Sequence, residues 1–307
     1  MQLDGLLFFV IAIAIGYLIL KVRLVPESAA DILPSVLLNV CFPAMLFSSF
    51  AAMDAAEHLS VGIPTVLATL VFSLGIFAVA FFLFRKQDPS RRALLRYISS
   101  VGNTSFVCIP LLGLFLTGSE MSIVLIHGAV MDILIWGIHQ QVFIGSGCDN
   151  RQNKWRKIIT TPTLLAVVAG SLCSAFSVKL PGFVTYAAEG LAAAVSPLSL
   201  LLIGMLICRY GLLTWVKNRT AILYSLWKVL LLPCIVFAAL YFLVPLKTAC
   251  ILAVIFGSPA PLTAVLWCKQ YGHDTALAVD CLIPSTILYF AVMGPLLAVL
   301  SHCGFVG

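Results

Sequence analysis

The chain has 307 residues, of which 62% are hydrophobic and 10% charged, and its mean hydropathy is +1.10. A soluble domain covers its surface with roughly 25% charged residues, so a soluble fold, disorder and a collagen-like repeat are excluded and the chain reads as bilayer-embedded. The formal charge of +6, from 18 basic and 12 acidic residues, reads as membrane topology and gives no case for a nucleic-acid partner.

A spanning helix needs about 20 mostly apolar residues. Cutting at charges, Gly/Pro pairs and polar clusters leaves ten such segments, near 4–20, 33–53, 61–84, 94–116, 121–145, 162–178, 184–208, 220–244, 247–270 and 276–300. No Lys or Arg precedes Lys21, so the basic start of a signal peptide is missing and the first segment is expected to stay as a membrane helix. The connections after odd-numbered segments hold 15 basic residues: Lys21 and Arg23; Arg85, Lys86, Arg91, Arg92 and Arg96; Arg151, Lys154, Arg156 and Lys157; Arg209, Lys217 and Arg219; and Lys269. The opposite connections hold Lys179 and Lys247. This asymmetry predicts a multi-pass protein with cytoplasmic odd loops and both termini outside, expected in the plasma membrane, the inner membrane if the source is bacterial. The ten cysteines show no C-x-x-C and no ligand-like spacing to His, so no metal, disulfide or cofactor is assigned.

Shifting the chain by 154 or 155 residues lays Pro43 on Pro197, each in the second segment of its half, and Gly102 on Gly257. Five segments per half invert the second half relative to the first. The expected organisation is a first five-helix repeat over 1–145, a short cytoplasmic loop over 146–160 and an inverted five-helix repeat over 161–307. The fourth segment carries Gly102-Asn103-Thr104-Ser105 before Pro110, and the ninth carries Gly257-Ser258-Pro259-Ala260-Pro261. Both stretches are poor helix at mid-span, tolerated where protein or a water-filled cavity receives the freed backbone groups. Paired breaks at matching repeat positions point to a substrate site. Crossed there, they present half-helix N-termini, which favour an anion.

Asn103 is expected to hold a carboxylate, with hydroxyls from Thr104, Ser105, Ser258 and Thr263, and with Asn39 and Ser196 facing the same space. Asp132, mid-span in the fifth segment, is a functional candidate as a proton or cation carrier. His127 and His139 lie on the same segment, and a proton relay with Asp132 is one reading. Lys228 and Asp280 enter the eighth and tenth segments from one side. A Lys228 pair with Asp280 or with Asp132 is available, Lys228 then standing as a fixed cation in place of sodium, with snorkelling to the headgroups the alternative.

These residues resemble the auxin efflux carrier family, which includes plant PIN auxin exporters and bacterial malate and malonate permease-like proteins. The likeness rests on Gly102-Asn103 followed by Pro110, on Leu38-Asn39 followed by Pro43, on Pro197-Leu198 with Leu200 to Leu202 and Gly204-Met205, and on Tyr271-Gly272 with Asp274. It spans essentially the whole chain. The resemblance implies an all-α, ten-helix membrane fold related to sodium/proton and bile-acid transporters, with helices four and nine broken and crossed. It implies carboxylate substrates and a homodimer. Ser105 and Cys108 stand where the family often has Gly, and the central loop is short, as in the bacterial members.

The reading is a secondary carrier of a small organic anion, such as a mono- or dicarboxylate, working by alternating access. The substrate contacts are Asn103, Thr104, Ser105, Pro110, Gly257, Ser258, Pro259 and Asn39. Asp132, Lys228 and Asp280 serve ion coupling, with a proton as the first choice of ion and sodium as the second. Rival readings are a cation/proton exchanger that uses Asp132 and Asp280 directly, a ligand sensor of the same fold, and an intramembrane aspartyl protease. The last lacks the Gly-x-Gly-Asp setting around either aspartate.

Overall fold

The structure, a computed structural model, describes residues 2–52, 61–144 and 161–304, and among them every regular element is helical. The loop expected at 146–160, with Arg151, Lys154, Arg156 and Lys157, lies outside the described residues. In chain order the helices are α1 (Gln2–Lys21), α2 (Ala29–Val36), α3 (Phe42–Ala52), α4 (Gly62–Leu83) and α5 (Pro89–Ser100). Then come α6 (Ile109–Leu112), α7 (Gly118–Gly137), α8 (Pro162–Ala175), α9 (Gly182–Ala193) and α10 (Val195–Tyr210). The chain continues through α11 (Arg219–Leu226), α12 (Leu232–Leu240), α13 (Leu246–Phe256), α14 (Leu262–Tyr271) and α15 (Thr275–His302). Six helical stretches among the described residues are long and apolar enough to cross a membrane: Ala29–Ala52, Gly62–Leu83, Glu120–Val142, Gly182–Tyr210, Arg219–Leu240 and Thr275–His302. With mostly apolar faces turned outward, including Val10, Phe82, Phe183 and Phe242, the chain is an integral membrane protein.

The described chain widens into a π-turn at three places, Leu37–Cys41 and Trp227–Leu231 inside two of these stretches and Thr104–Cys108 between α5 and α6. Each is followed, after one intervening residue, by proline: Pro43, Pro110 and Pro233. Proline lacks the N–H that would bond the carbonyl four residues back, and its ring crowds that carbonyl. The turn before it therefore opens by one residue. The stretch over 182–210 breaks instead at Ala194, one turn before Pro197.

Helix α1 packs along α10, and α8 along α3; α4 contacts α5 and α7, while α12 contacts α13 and α11 contacts α15. The α1–α10 seam depends on two glycines in mutual close approach. A Cβ on Gly16 would run into the Leu201 carbonyl, and one on Gly204 into the Ile13 carbonyl. In lipid, where no hydrophobic gain drives helices together, such small-residue contacts let backbones close.

Ion pairs mark the two ends of the bundle. At one end, Asp31 pairs with Arg209 at 2.9 Å and Lys269 at 2.8 Å, joining the starts and ends of α2, α10 and α14, and Arg91 pairs with Asp274 at 3.4 Å. At the other, Lys247 of α13 pairs with Glu120 of α7 at 2.6 Å. Asp274 also caps α15 by accepting the Leu277 N–H at 2.9 Å.

Candidate functional site

The chain is interrupted twice inside the bundle, between α5 and the π-turn at 101–103 and between α13 and α14 at 257–261. The two breaks touch. The Asn103 N–H donates to the Pro259 carbonyl at 2.8 Å, so each unwound segment satisfies part of the other, as backbone in hydrocarbon must. Gly102 lets the two breaks approach, because a Cβ there would meet the Ser258 hydroxyl, which would have to turn away. Behind the second break the Ala260 N–H donates to Ser285 Oγ at 3.1 Å, and the Phe106 carbonyl accepts from Ser199 Oγ at 3.1 Å.

Breaking a helix leaves carbonyls unsatisfied at its C-terminal end. At the end of α5, the Tyr224 hydroxyl donates to the Ile98 carbonyl at 3.0 Å, and the ammonium of Lys228, with 0% exposure, reaches the Ser99 carbonyl at 3.4 Å. Lys228 therefore stands where the negative end of a helix dipole attracts a cation. At the end of α13, the Tyr289 hydroxyl reaches the Val254 carbonyl at 3.3 Å.

A cavity of about 150 Å³ opens at the crossing. The first break and the turn after it, Gly102 to Phe106, form one wall, and Pro261, Leu262 and Thr263 at the start of α14 form another. Asp132, Ile135 and Trp136 of α7, Thr161 to Thr163 at the head of α8, and Leu38 with Asn39 complete it. The opening amides of the segments at Thr104 and Leu262 have no acceptor within their own helices. Two polar side-chain atoms of the lining, Asn103 Nδ2 and Asp132 Oδ2, are buried without a hydrogen-bond partner. Buried polar atoms are normally paired, so these two are candidates for contact with a ligand's polar groups. Thr263 Oγ1 is held by the Tyr97 hydroxyl at 2.6 Å. Tyr97 belongs to an aromatic cluster with Phe143 and Trp267, and Trp136 of the cavity wall meets Trp267 at 5.7 Å.

Of the residues expected at the site, Asn103, Thr104, Ser105, Asn39, Thr263 and Asp132 line this cavity. Pro110, Gly257, Ser258 and Pro259 are buried beside it and are absent from its wall, because the second segment turns its next residues, Pro261 to Thr263, inward. Gly257 packs on Pro233 instead. Asn39 Nδ2 donates to the Ser35 carbonyl at 2.8 Å. The pairs considered for Lys228 are not formed: Asp280 accepts from Thr214 Oγ1 and Asn218 Nδ2, each at 2.8 Å, at the opening of α11 and away from the cavity. Nor do the histidines reach Asp132. His127 Nδ1 lies 2.9 Å from Thr69 Oγ1 and His139 Nε2 lies 3.5 Å from Ser73 Oγ, both on α4. Sequence reasoning missed Trp136 and Thr163 in the wall and Ser199 behind it. No local signal marked them; they are contributed by neighbouring helices.

Broken helices crossing inside a membrane bundle, with polar groups gathered at the crossing, define a membrane transporter in class. A family model described as membrane transport protein matches residues 3–296, and the chain belongs to this family, the auxin efflux carriers. It is also similar to an uncharacterized transporter of Methanocaldococcus jannaschii, with 22% identity over 212 residues that cover 66% of this chain and 68% of that protein.

Proposed function

We propose that the protein is a secondary active transporter of a small organic anion, a mono- or dicarboxylate, working by alternating access around the crossing. The observation that carries this reading is Asn103: its amide Nδ2 is buried, partnerless and in the wall of a cavity that also receives the first turns of two half-helices. Amide donors and positive helix ends together suit a carboxylate. Ten spans arranged as two inverted five-helix halves, 1–145 and 161–307, are supported by matched contacts. The first helix of each half packs on the second span of the other, α1 on α10 and α8 on α3. The cavity wall includes Trp136, near the end of α7, and Thr161, at the head of α8. By charge asymmetry these ends face the cytoplasm, which in this reading sets the cavity on the cytoplasmic side of the crossing.

A proton is the coupling ion in this reading. Asp132 shares the cavity with the substrate carboxylate, and two carboxylates in one low-dielectric space do not both stay ionised. Substrate binding then takes up a proton. Lys228 supplies a fixed positive charge at the end of α5, where a carrier with a metal-ion partner would hold that ion.

The test is thermal stability of the purified protein against a panel of mono- and dicarboxylates, amino acids, sodium and pH, since a ligand of the folded state raises stability by mass action. One carboxylate is expected to stabilise the wild type and to leave Asn103→Ala unmoved. A response to sodium or pH alone, with every carboxylate silent, replaces this reading by the second one. That second reading is a cation/proton exchanger, favoured by the partnerless Asp132 Oδ2 in the same cavity.

A further inference from the structure

A second cavity, of about 520 Å³, lies between the end of α4, the start of α5 and the end of α7, apart from the crossing. Its polar wall is Arg92, Arg96, Gln141 and His273, the last with Nε2 3.0 Å from the Phe143 carbonyl, and among the described residues no acidic side chain lines it. The Arg96 guanidinium lies 3.7 Å from the Phe81 ring centroid and donates from Nη2 to the Phe81 carbonyl at 2.7 Å, while its Nε is buried with no partner. Arg92 sits one turn before it on the same helix face, and among the described residues no carboxylate pairs with it. Like charges four residues apart repel, and two guanidiniums turned into one pocket whose described lining holds no carboxylate attract an anion. Phosphate matches this donor set, since guanidinium bonds it in a planar fork.

The rest of the wall decides which phosphate. Phe77, Phe81 and Ile138 line the pocket, and Phe81 and Ile138 are 48% and 42% exposed on the outer face of the bundle. The pocket lies at the end of the molecule where Arg91 meets Asp274, the level at which spans leave the hydrocarbon. A soluble anion has no use for an apolar wall that opens sideways, whereas a lipid fills both halves. We propose that Arg92 and Arg96 hold the phosphate headgroup of an anionic membrane lipid, its chains running down past Phe81 and Ile138. Basic pockets between membrane helices on the cytoplasmic side suit such headgroups. The site is independent of what the crossing carries.

Native mass spectrometry of the purified full chain, given phosphatidylglycerol or phosphatidylcholine, tests this. The wild type is expected to retain phosphatidylglycerol about fivefold better, and Arg92→Gln to lose about that factor. Arg92→Gln leaves the Arg96 contacts with Phe81 intact, so it carries the test even if Arg96→Gln fails to fold. Lys179→Gln, an exposed basic residue elsewhere, is expected to retain the lipid as the wild type does. Equal retention of the two lipids, or an equal loss in Lys179→Gln, overturns the proposal. Displacement of the lipid by inorganic phosphate also overturns it, in favour of a soluble anion.

Discussion

The hydroxyl of Ser199 lies 3.1 Å from the main-chain carbonyl of Phe106, the carbonyl that a helical N–H at position 110 would take, and 2.9 Å from the Ser196 carbonyl of its own helix, so its one proton is shared between the two. Pro110 has no N–H, so α10 supplies the missing donor from 93 residues away. The local weakness between Gly102 and Pro110 is thereby tied to α10.

Ser199→Ala removes this donor from a buried carbonyl, and a loss of about 0.5–1.5 kcal/mol of stability is expected. Pro110→Ala restores a helical N–H at the same place. In thermal unfolding of the four proteins of the cycle, Ser199→Ala is expected to cost markedly less in the Pro110→Ala background. Additive losses would show that the two residues do not share this carbonyl.

Gly102→Ala places a methyl group against the Ser258 hydroxyl at the crossing. Overpacking of this kind costs about 1–3 kcal/mol, and because it pushes the two breaks apart, substrate uptake is expected to fall along with stability. Adding Ser258→Ala removes the clashing oxygen. Uptake by Gly102→Ala/Ser258→Ala vesicles should exceed that of the single Gly102→Ala variant, and no recovery would place the defect elsewhere.

Lys228 is fully buried on one long hydrogen bond to Ser99. An apolar isostere at such a site is often neutral or stabilising, so Lys228→Met is expected to unfold at or above the wild-type temperature. Its transport is expected to drop at least about tenfold, by loss of the charge that complements the end of α5 and the anion site. Retained transport would reduce Lys228 to a packing residue.

Asp132→Asn separates the two transport readings. For an anion carrier coupled through Asp132, the variant should still exchange labelled for unlabelled carboxylate across vesicles, with uptake no longer driven by a proton gradient. A cation/proton exchanger loses all flux with the same substitution.

Parts of this site were legible in the chain because their cause is local. Gly102 and the run Gly257 to Pro261 announce broken helix wherever they are placed, and Asn103 beside such a break is a donor in a region short of donors. The three π-turns had a local cause as well, a proline after one further residue each time, but a lone proline in a membrane helix, such as Pro43, reads equally well as a simple kink. Missing them had a consequence for Lys228. A π-turn inserts an extra residue, so the helix face beyond it is rotated by about 100°. Depth from the helix end suggested Asp280 or Asp132 as partners, while the side chain inside Trp227–Leu231 reaches the Ser99 carbonyl.

The sequence by itself determined that this is a membrane protein of mostly apolar helices and where two of them break. Lipid offers no hydrogen bonds, so each segment must satisfy its own backbone and its failures are written within a few residues. The partners that repair those failures were decided by the tertiary structure alone: Ser199 for Phe106, Lys228 and Tyr224 for the end of α5, Tyr97 for Thr263. Each such bond joins residues 93 to 166 positions apart. Which side chain arrives depends on how whole helices tilt and rotate against one another, which no local pattern encodes.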